Sequence, residues 1–578
     1  MSGRGFALAV PLTESARLPA RPRIHADLET LCADEPRLWL GGGIPVTDLG
    51  SRGVAIGALF SRPDGASCPP MQIDLKHGGD ASSAARHLLG RSWGAYVAVL
   101  IDPEVRRTSI LVDPSGLLPA YSLVTSHHLI VSSDARLLER CTRTRMRVDW
   151  KAVHAFLCRP ELRSRATCLE GVREIPPGSL TTIVGPSVSE ELLWRPDAFM
   201  PAAPFPSFDE AATILRDTAI AVMGAWNGRL GPVAVAASGG VDSSFICGAL
   251  RSGNAVFSCL TAATADPSGD ERPAVRRLAD HLDVPLAEGI YDPALFDPFE
   301  RASGALPRPS RKSFLNSVDR LFAEAADDLG AATVLDGNGG DNLFCYLHSA
   351  APIADRVRAE RSPVGWGSTI LDCCRLTGST LPEMVSATWR RLTSAARFPS
   401  WPADQRLLAW PAPPFESAKP VTPWNRVAVG QHRGKHDHLA LIMRCQNHLH
   451  GLTAPASRFS PLISQPLLEL CLAIPTWLWC EGGLNRSLAR RAFARALPPS
   501  ILARTAKAGP DSYIRAVFDR NRQAIRECLM EGHLAREGLL DLEAVEQALV
   551  IDAFTGDSTI YRLLDLAEAE NWARAWRG

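Results

Sequence analysis

Seven consecutive residues, Ser238-Gly239-Gly240-Val241-Asp242-Ser243-Ser244, place three hydroxyls, two glycines and a carboxylate on one short stretch of chain. They follow a run of valines and alanines from Val233, which reads as a buried strand, and lead into "FICGAL", which reads as an apolar helix. The stretch therefore falls at a helix N-terminus, where free N–H groups and the positive end of the helix dipole collect. Glycines there allow close approach to the backbone, and phosphate is the anion such a loop favours. The lysine-bearing phosphate loop G-x-x-x-x-G-K-[ST] occurs nowhere in the chain, so the anion must be held in another way.

The elements that would position this loop follow from apolar spacing. "SFDEAATILRDTAIAVMGAW" predicts a helix that opens on a capping box, with Ser207 as N-cap and Glu210 three residues on. After the loop, "AVFSCLTAA", "DERPAVRRLADHLD" and "AATVLDGNGG" alternate strand and helix, predicting a parallel sheet with helices on both faces and a largely helical remainder. Earlier, "GVAIGALF", "GAYVAVLID", "TSILVDP", "HLIVSS" and "SLTTIV" are short runs between Gly, Pro and Asp turns, which predict a β-rich layered domain. The proline-rich "RPDAFMPAAPFPS" reads as a linker, giving domains at 1–200 and 205–578.

Composition narrows the class. A chain of 578 residues, 46% hydrophobic and 21% charged, can bury sizeable cores. Lys plus Arg and Asp plus Glu number 62 each, so no global basic field argues for nucleic acid or an anionic membrane as partner. "LLELCLAIPTWLWC" from Leu467 is too short for a bilayer span and carries Glu469 and Pro475, so it reads as a core helix. The N-terminus does not resemble a signal peptide, and the expected compartment is the cytoplasm. Fourteen cysteines stand singly apart from Cys373-Cys374 with no C-x-x-C pair, so they read as buried free thiols. The dispersed tryptophans read as core and pocket wall.

The seven-residue stretch resembles the S-G-G-x-D-S loop of N-type ATP pyrophosphatases, which bind the β and γ phosphates of ATP and leave an adenylate on the substrate. From there to the C-terminal region the second half resembles the synthetase domain of the asparagine synthetase B family. "VLDGNGGDNLF" is similar to that family's second phosphate-facing loop, "ASRFSPLISQPLLELCLAIP" to its arginine-x-proline segment, and "LPPSILARTAKAGPD" to its late lysine-bearing run. "GAYVAVLIDPEVRRTSILVDPSGLLPAYS" and "CLEGVREIPPGSLTTI" resemble its amidotransferase domain. The resemblance implies an α+β, Ntn-type, class II glutamine amidotransferase-like layered domain, then an α/β adenine-nucleotide alpha-hydrolase (PP-loop) synthetase domain with a helical C-terminal region.

Departures from that family direct the functional expectation. Its glutamine-using members carry a cysteine directly after the initiator methionine, whose own amine serves as base. Here the order is Met1-Ser2-Gly3, and the segments that hold glutamine in the family are not visible, so the first half is expected to be a degenerate scaffold. Two branches of the family dispense with glutamine. β-Lactam synthetases place a tyrosine in the second loop to help deprotonate the attacking nitrogen, where this chain has Asn338, which has no ionisable group. Lasso peptide cyclases commonly show glycine-x-glycine-glycine-aspartate, as in Gly337-Asn338-Gly339-Gly340-Asp341.

The resemblance to lasso cyclases implies roles by residue. Ser238, Gly239, Gly240, Ser243 and Ser244, with Gly339 and Gly340, would hold the phosphates of ATP. Asp242 and Asp341 would bind Mg2+, a hard cation that takes carboxylate and phosphate oxygens. Lys507 would stabilise negative charge on the phosphates or the tetrahedral intermediate, with Arg504 a weaker candidate. The expected reaction is adenylation of an Asp or Glu side chain of a precursor core peptide and attack by its N-terminal amine. A leader peptidase and a leader-recognition protein would be partners. Asp270 and Glu271 are expected to favour a helix N-terminus electrostatically. His432, His436, His438, His448 and His450 show no H-E-x-x-H spacing and are expected to face peptide or solvent rather than metal. A small-molecule amide or β-lactam synthetase, and a noncatalytic binding relative, stay open as alternatives.

Overall fold

In the first half, alternating apolar residues pair into two six-stranded sheets, each antiparallel throughout. One runs Arg173–Glu174, Tyr121–Val124, His128–Ser132, Gly5–Pro11, Arg37–Gly41, Glu29–Cys32, and the other Ser187–Leu192, Ser179–Val184, Arg107–Val112, Ser92–Asp102, Gly53–Ser61, Val46–Asp48. Phe6, Leu8 and Val10 of the first share a core with Ile56, Val97 and Val99 of the second. All five runs expected as strands are strands. The computed structural model describes residues 5–13, 29–32, 36–41, 43–62, 80–102, 104–200, 207–264, 266–299, 306–310, 316–360, 363–394, 401–414, 433–452, 458–505, 511–550 and 557–577. Residues 201–206 of the expected linker lie outside them, as does Ser2.

The second half opens with α1 (Phe208–Leu230), where Ser207 and Glu210 form the expected capping box. β1 (Val233–Ala236), α2 (Val241–Ser252), β2 (Phe257–Ala263), α3 (Arg272–Leu282), β3 (Leu286–Ile290), α4 (Asn316–Asp328) and β4 (Thr333–Leu335) follow, and β5 (Arg458–Phe459) completes a five-stranded sheet. Every pairing is parallel and the order is β3-β2-β1-β4-β5. The two faces of β1 are both covered: Val233 and Val235 pack in one core with Phe245 of α2, Ala234 in another with Val318 and Phe322 of α4. From β1 the chain winds outward through β2 and β3, then returns to lay β4 on β1's other edge. Such a reversal opens a crevice at the C-terminal ends of the two strands.

The helical remainder includes α5 (Gly340–Leu343), α6 (Ala351–Ala359), α7 (Pro363–Thr377), α8 (Leu381–Thr393), α9 (Arg433–Cys445), α10 (Gln465–Ala473), α11 (Ser487–Ala492), α12 (Asp511–Met530), α13 (Leu542–Val550) and α14 (Asp557–Arg577). The run from Leu467 is a core segment but not one helix. α10 ends before Pro475, which lacks an N–H and bars its continuation, and a 3-10 stretch Thr476–Gly483 follows. The buried Lys435 ammonium donates to the Leu472 carbonyl at 2.5 Å and to that of Ile474, closing the end of α10. Among the described side chains every cysteine is a free thiol, and all but Cys374 are buried. No helix among the described residues is long and apolar enough to cross a membrane.

The two halves interlock. Glu469 of α10 is paired with Arg62 of the first half at 2.7 Å and accepts from Trp194 Nε1 at 2.9 Å and Gln465 Nε2 at 2.8 Å. Trp93 and Trp226 meet edge to face, and Leu452 N donates to Leu117 O at 3.0 Å.

Candidate active site

β1 stops where its chain must turn sharply. Gly239 sits at φ +63°, a left-handed conformation that favours glycine. A Cβ there would come within 2.7 Å of both the Ala274 methyl and Arg504 Nη1. The loop folds on itself: Ser243 Oγ accepts from Ser238 N at 3.2 Å, and Ser238 Oγ accepts from Gly240 N at 3.4 Å. Gly240 is the N-cap of α2, so the first-turn N–H groups of that helix gather behind the serines. Ser244, the next residue along α2, is wholly buried with its hydroxyl unpartnered.

The second loop leaves β4 alongside. A Cβ on Gly337 would lie 2.9 Å from Ser243 N, and one on Gly340 would lie 2.4 Å from Asp242 Cγ. These glycines therefore let the two loops lie in contact, with the Asp242 side chain in the space that a Gly340 side chain would fill. The result brings Asp242 and Asp341 together, as expected, and adds a residue the sequence reading missed. Arg486 donates through Nη1 to Asp242 Oδ2 at 2.9 Å and through the same nitrogen to Asp341 Oδ1. The Asp242 side chain is 12% exposed and that of Asp341 46%, so the pair has a buried and an open member.

A layer of arginines holds this arrangement. Arg486 stands at φ +54° at the N-cap of α11, its guanidinium over the Tyr346 ring at 5.2 Å. Behind it Arg490 donates to Asn485 Oδ1 at 2.8 Å and to the carbonyls of Leu502 and Arg504 at 2.6 and 3.0 Å. Burial, and then the neighbouring Arg486 charge, pushes the Arg490 guanidinium down to about 10. Arg504 in turn donates to Ser238 O at 3.1 Å and to Glu271 Oε1 at 2.8 Å. Arg504 thus reaches the first loop, whereas Lys507 lies outside the described residues. Asp270 does accept from the Arg272 N–H at 2.9 Å, at the start of α3. Glu271 does not cap that helix with its side chain, which is turned to Arg504 instead.

The histidines divide. His432 lies outside the described residues. His436 and His438 are buried on α9, contrary to the expectation that they face peptide or solvent. His438 Nε2 meets Leu343 O at 2.8 Å, and burial, aided by Lys435, pushes its imidazole down to about 3. His450 Nδ1 lies 2.7 Å from Oδ2 of Asp336, the buried residue directly after β4. Asp336 also accepts from Ser460 Oγ at 2.7 Å and Asn338 N at 3.0 Å, with Arg458 at 3.3 Å. Burial alone would raise the Asp336 carboxyl, but His450 and Arg458 outweigh it and hold it below the usual range. Asn338 does not reach into the crevice as a base would; its amide lies 3.2 Å from His448 O and from His450 Nδ1.

Comparison with known proteins accords with this geometry. The profile of the asparagine synthase family matches residues 229–574, well over half of the chain, including both loops, β5 and the arginine layer. The chain belongs to the asparagine synthase family. A curated relative, "Amidase chry2" of Gibberella zeae, is 28% identical over 283 residues, which cover 43% of this chain and 39% of that protein. The chain thus spans about two fifths of the length of that relative. Two solved structures are similar at low level: a B. subtilis glutamine phosphoribosylpyrophosphate amidotransferase complexed with ADP and GMP, and an allosteric regulatory enzyme of purine biosynthesis. They share 11% and 10% identity, cover 58% of this chain and 84% and 83% of theirs, and each has a TM-score of 0.20.

Within this asparagine synthase fold the residues suit the groups that the resemblance implies. Two carboxylates close enough to share one guanidinium nitrogen, beside an anion-binding loop, are hard oxygen donors of the kind Mg2+ takes together with phosphate oxygens. Asp242 and Asp341 would hold that ion.

Proposed function

We propose that the chain is an ATP-dependent, glutamine-independent lasso peptide cyclase of the asparagine synthase family. It activates an Asp or Glu side chain of a core peptide and closes a macrolactam onto the peptide's N-terminal amine. The observation that carries the reading is the meeting of two complete loops, S-G-G-x-D-S and G-N-G-G-D, whose aspartates converge on Arg486. The serines and N–H groups of the first loop bind the β and γ phosphates of ATP. The peptide carboxylate attacks the α-phosphorus, pyrophosphate leaves, and the amine displaces AMP from the acyl-adenylate. When bound, Mg2+ neutralises phosphate charge. Arg486 and Arg504 orient the loops and add fixed positive charge where negative charge develops. Because both reacting ends belong to one bound peptide, orientation contributes on the order of 7 to 11 kcal/mol. A leader peptidase and a leader-recognition protein in the cytoplasm would supply the free N-terminus.

The test is pyrophosphate release from ATP and Mg2+ with a panel of leaderless peptides bearing an internal Asp or Glu, without glutamine, and mass spectrometry of the product. A product lighter by one water, lost in Asp242→Asn, supports the reading. Turnover only with small acids and amines replaces it with a small-molecule amide synthetase. No turnover with any carboxylate replaces it with a binding protein.

A further inference from the structure

Two neighbouring carboxylates need a cation between them, and here that cation is a side chain. Nη1 of Arg486 donates to Asp242 Oδ2 at 2.9 Å and also to Asp341 Oδ1, so one nitrogen stands between the two oxygens. Asp242 has no other oxygen to offer on that side. Its Oδ1 is buried and turned to Gly340, where a Cβ would lie 2.7 Å from it. The Arg486 side chain is only 11% exposed, so water screens this cluster little, and an unpaired carboxylate in it would be costly. A divalent ion on the same two oxygens needs the place that Nη1 holds. The two cations cannot share it, because they would meet at contact distance and repel.

Arg486 is also the least tied member of the arginine layer. Arg490 is locked by four bonds, three of them to the carbonyls of Asn485, Leu502 and Arg504 at 2.9, 2.6 and 3.0 Å. Apart from the two carboxylates, Arg486 reaches only Asn485 Oδ1 at 3.2 Å and the Tyr346 ring at 5.2 Å among the described residues. It is the N-cap of α11, at φ +54°, so its side chain can swing without unwinding a helical turn. After burial, the Arg486 charge is the next cause that pushes the Arg490 guanidinium down, so withdrawal of Arg486 relieves its neighbour.

We propose that Arg486 is the resident counter-ion of the Asp242–Asp341 pair and gives up that place to Mg2+, keeping the Tyr346 face as its perch. The proposal rests on the reading that these two aspartates are the Mg2+ ligands. Arg486 is then an exchangeable cation. It holds the two loops together until the metal takes over, and every Mg2+ that binds must first break a bond already made.

The test is titration calorimetry of MgCl2 alone into the full chain, in wild type, Arg486→Met, Arg504→Met and Asp341→Asn. Methionine keeps an apolar stem and removes the charge. Arg486→Met should bind Mg2+ at least about 10-fold more tightly than wild type, a coupling of ordinary size for two ligands that exclude each other. Arg504→Met lowers the charge nearby without touching the carboxylates, and should stay within about two-fold of wild type. Added Mg2+ should raise the denaturation midpoint of Arg486→Met more than that of wild type. Should Arg486→Met fail to fold, phenylglyoxal modification of wild type, located by peptide mass spectrometry, decides: Arg486 should react faster with Mg2+ than without it. Affinity in Arg486→Met no greater than in wild type, or an equal gain in Arg504→Met, overturns the proposal. So does modification of Arg486 that Mg2+ slows or leaves unchanged. Mg2+ binding that survives intact in Asp341→Asn removes the metal reading first, and the proposal with it.

Discussion

The loops after β1 and β4 are both rich in glycine, and for different reasons. In the first, Gly239 takes a left-handed turn and keeps the backbone open to an anion. In the second, Gly337 and Gly340 make room for the first loop, whose Asp242 side chain occupies the place of a missing Cβ. Similar composition therefore does not mean identical work: the second loop's glycines also serve as clearance for the first loop.

This contrast can be broken at graded cost. Asp242→Asn removes the charge that both loops are built around, and adenylation measured by ATP–pyrophosphate exchange should fall on the order of 1000-fold. Gly340→Ala changes no chemical group, yet its methyl would stand 2.4 Å from Asp242 Cγ and must displace it. Exchange should fall on the order of 100-fold, as for a misplaced reacting group, with secondary structure by circular dichroism unchanged. If Gly340→Ala were as active as wild type, the loops would not depend on that contact. A subtler effect is expected at His438, which holds the base of the second loop through Leu343. Its folded-state pKa of about 3 is depressed below the ordinary 6.5 of the unfolded chain, so on acidification the unfolded chain binds a proton that the folded one refuses. Stability contributed by this group is complete above pH 6.5 and is lost as pH falls from there towards 3. The denaturation midpoint of wild type should therefore drop more steeply between pH 7 and 5 than that of His438→Phe. Smallest of all, Ser244→Ala should leave exchange within two-fold of wild type, because that hydroxyl is buried without a partner. A large loss there would restore Ser244 to the phosphate site.

What was legible in the sequence was local. The strand-loop-helix at Ser238, the capping box at Ser207 and the longer apolar strands depend on neighbours within a few residues, so spacing alone exposes them. Asp242 and Asp341 came with their loops. Arg486 did not, because it reaches its aspartates from 244 and 145 residues away and lies in "LNRSLARRAFARAL", an arginine-rich stretch that looks like any solvated helix. Arg504 is the weaker candidate because its spacing to Lys507 departs from the family's run, and Glu271 reads as part of its own helix because its partner is 233 residues distant. Asp336 does carry a signal in the sequence: an acidic residue directly after a buried strand, "TVLD", must find partners inside the fold. His450 was visible only as one histidine in a row of five.

Glu469 ties the origin of the two halves to their fate. Its carboxylate is shared among a guanidinium and an indole from the first half and an amide from its own helix. A synthetase half produced alone would lose the guanidinium and the indole that this carboxylate is built against and would bare the surrounding apolar surface to water. The first half therefore serves the second as packing partner and counter-ion, a structural duty independent of any chemistry of its own.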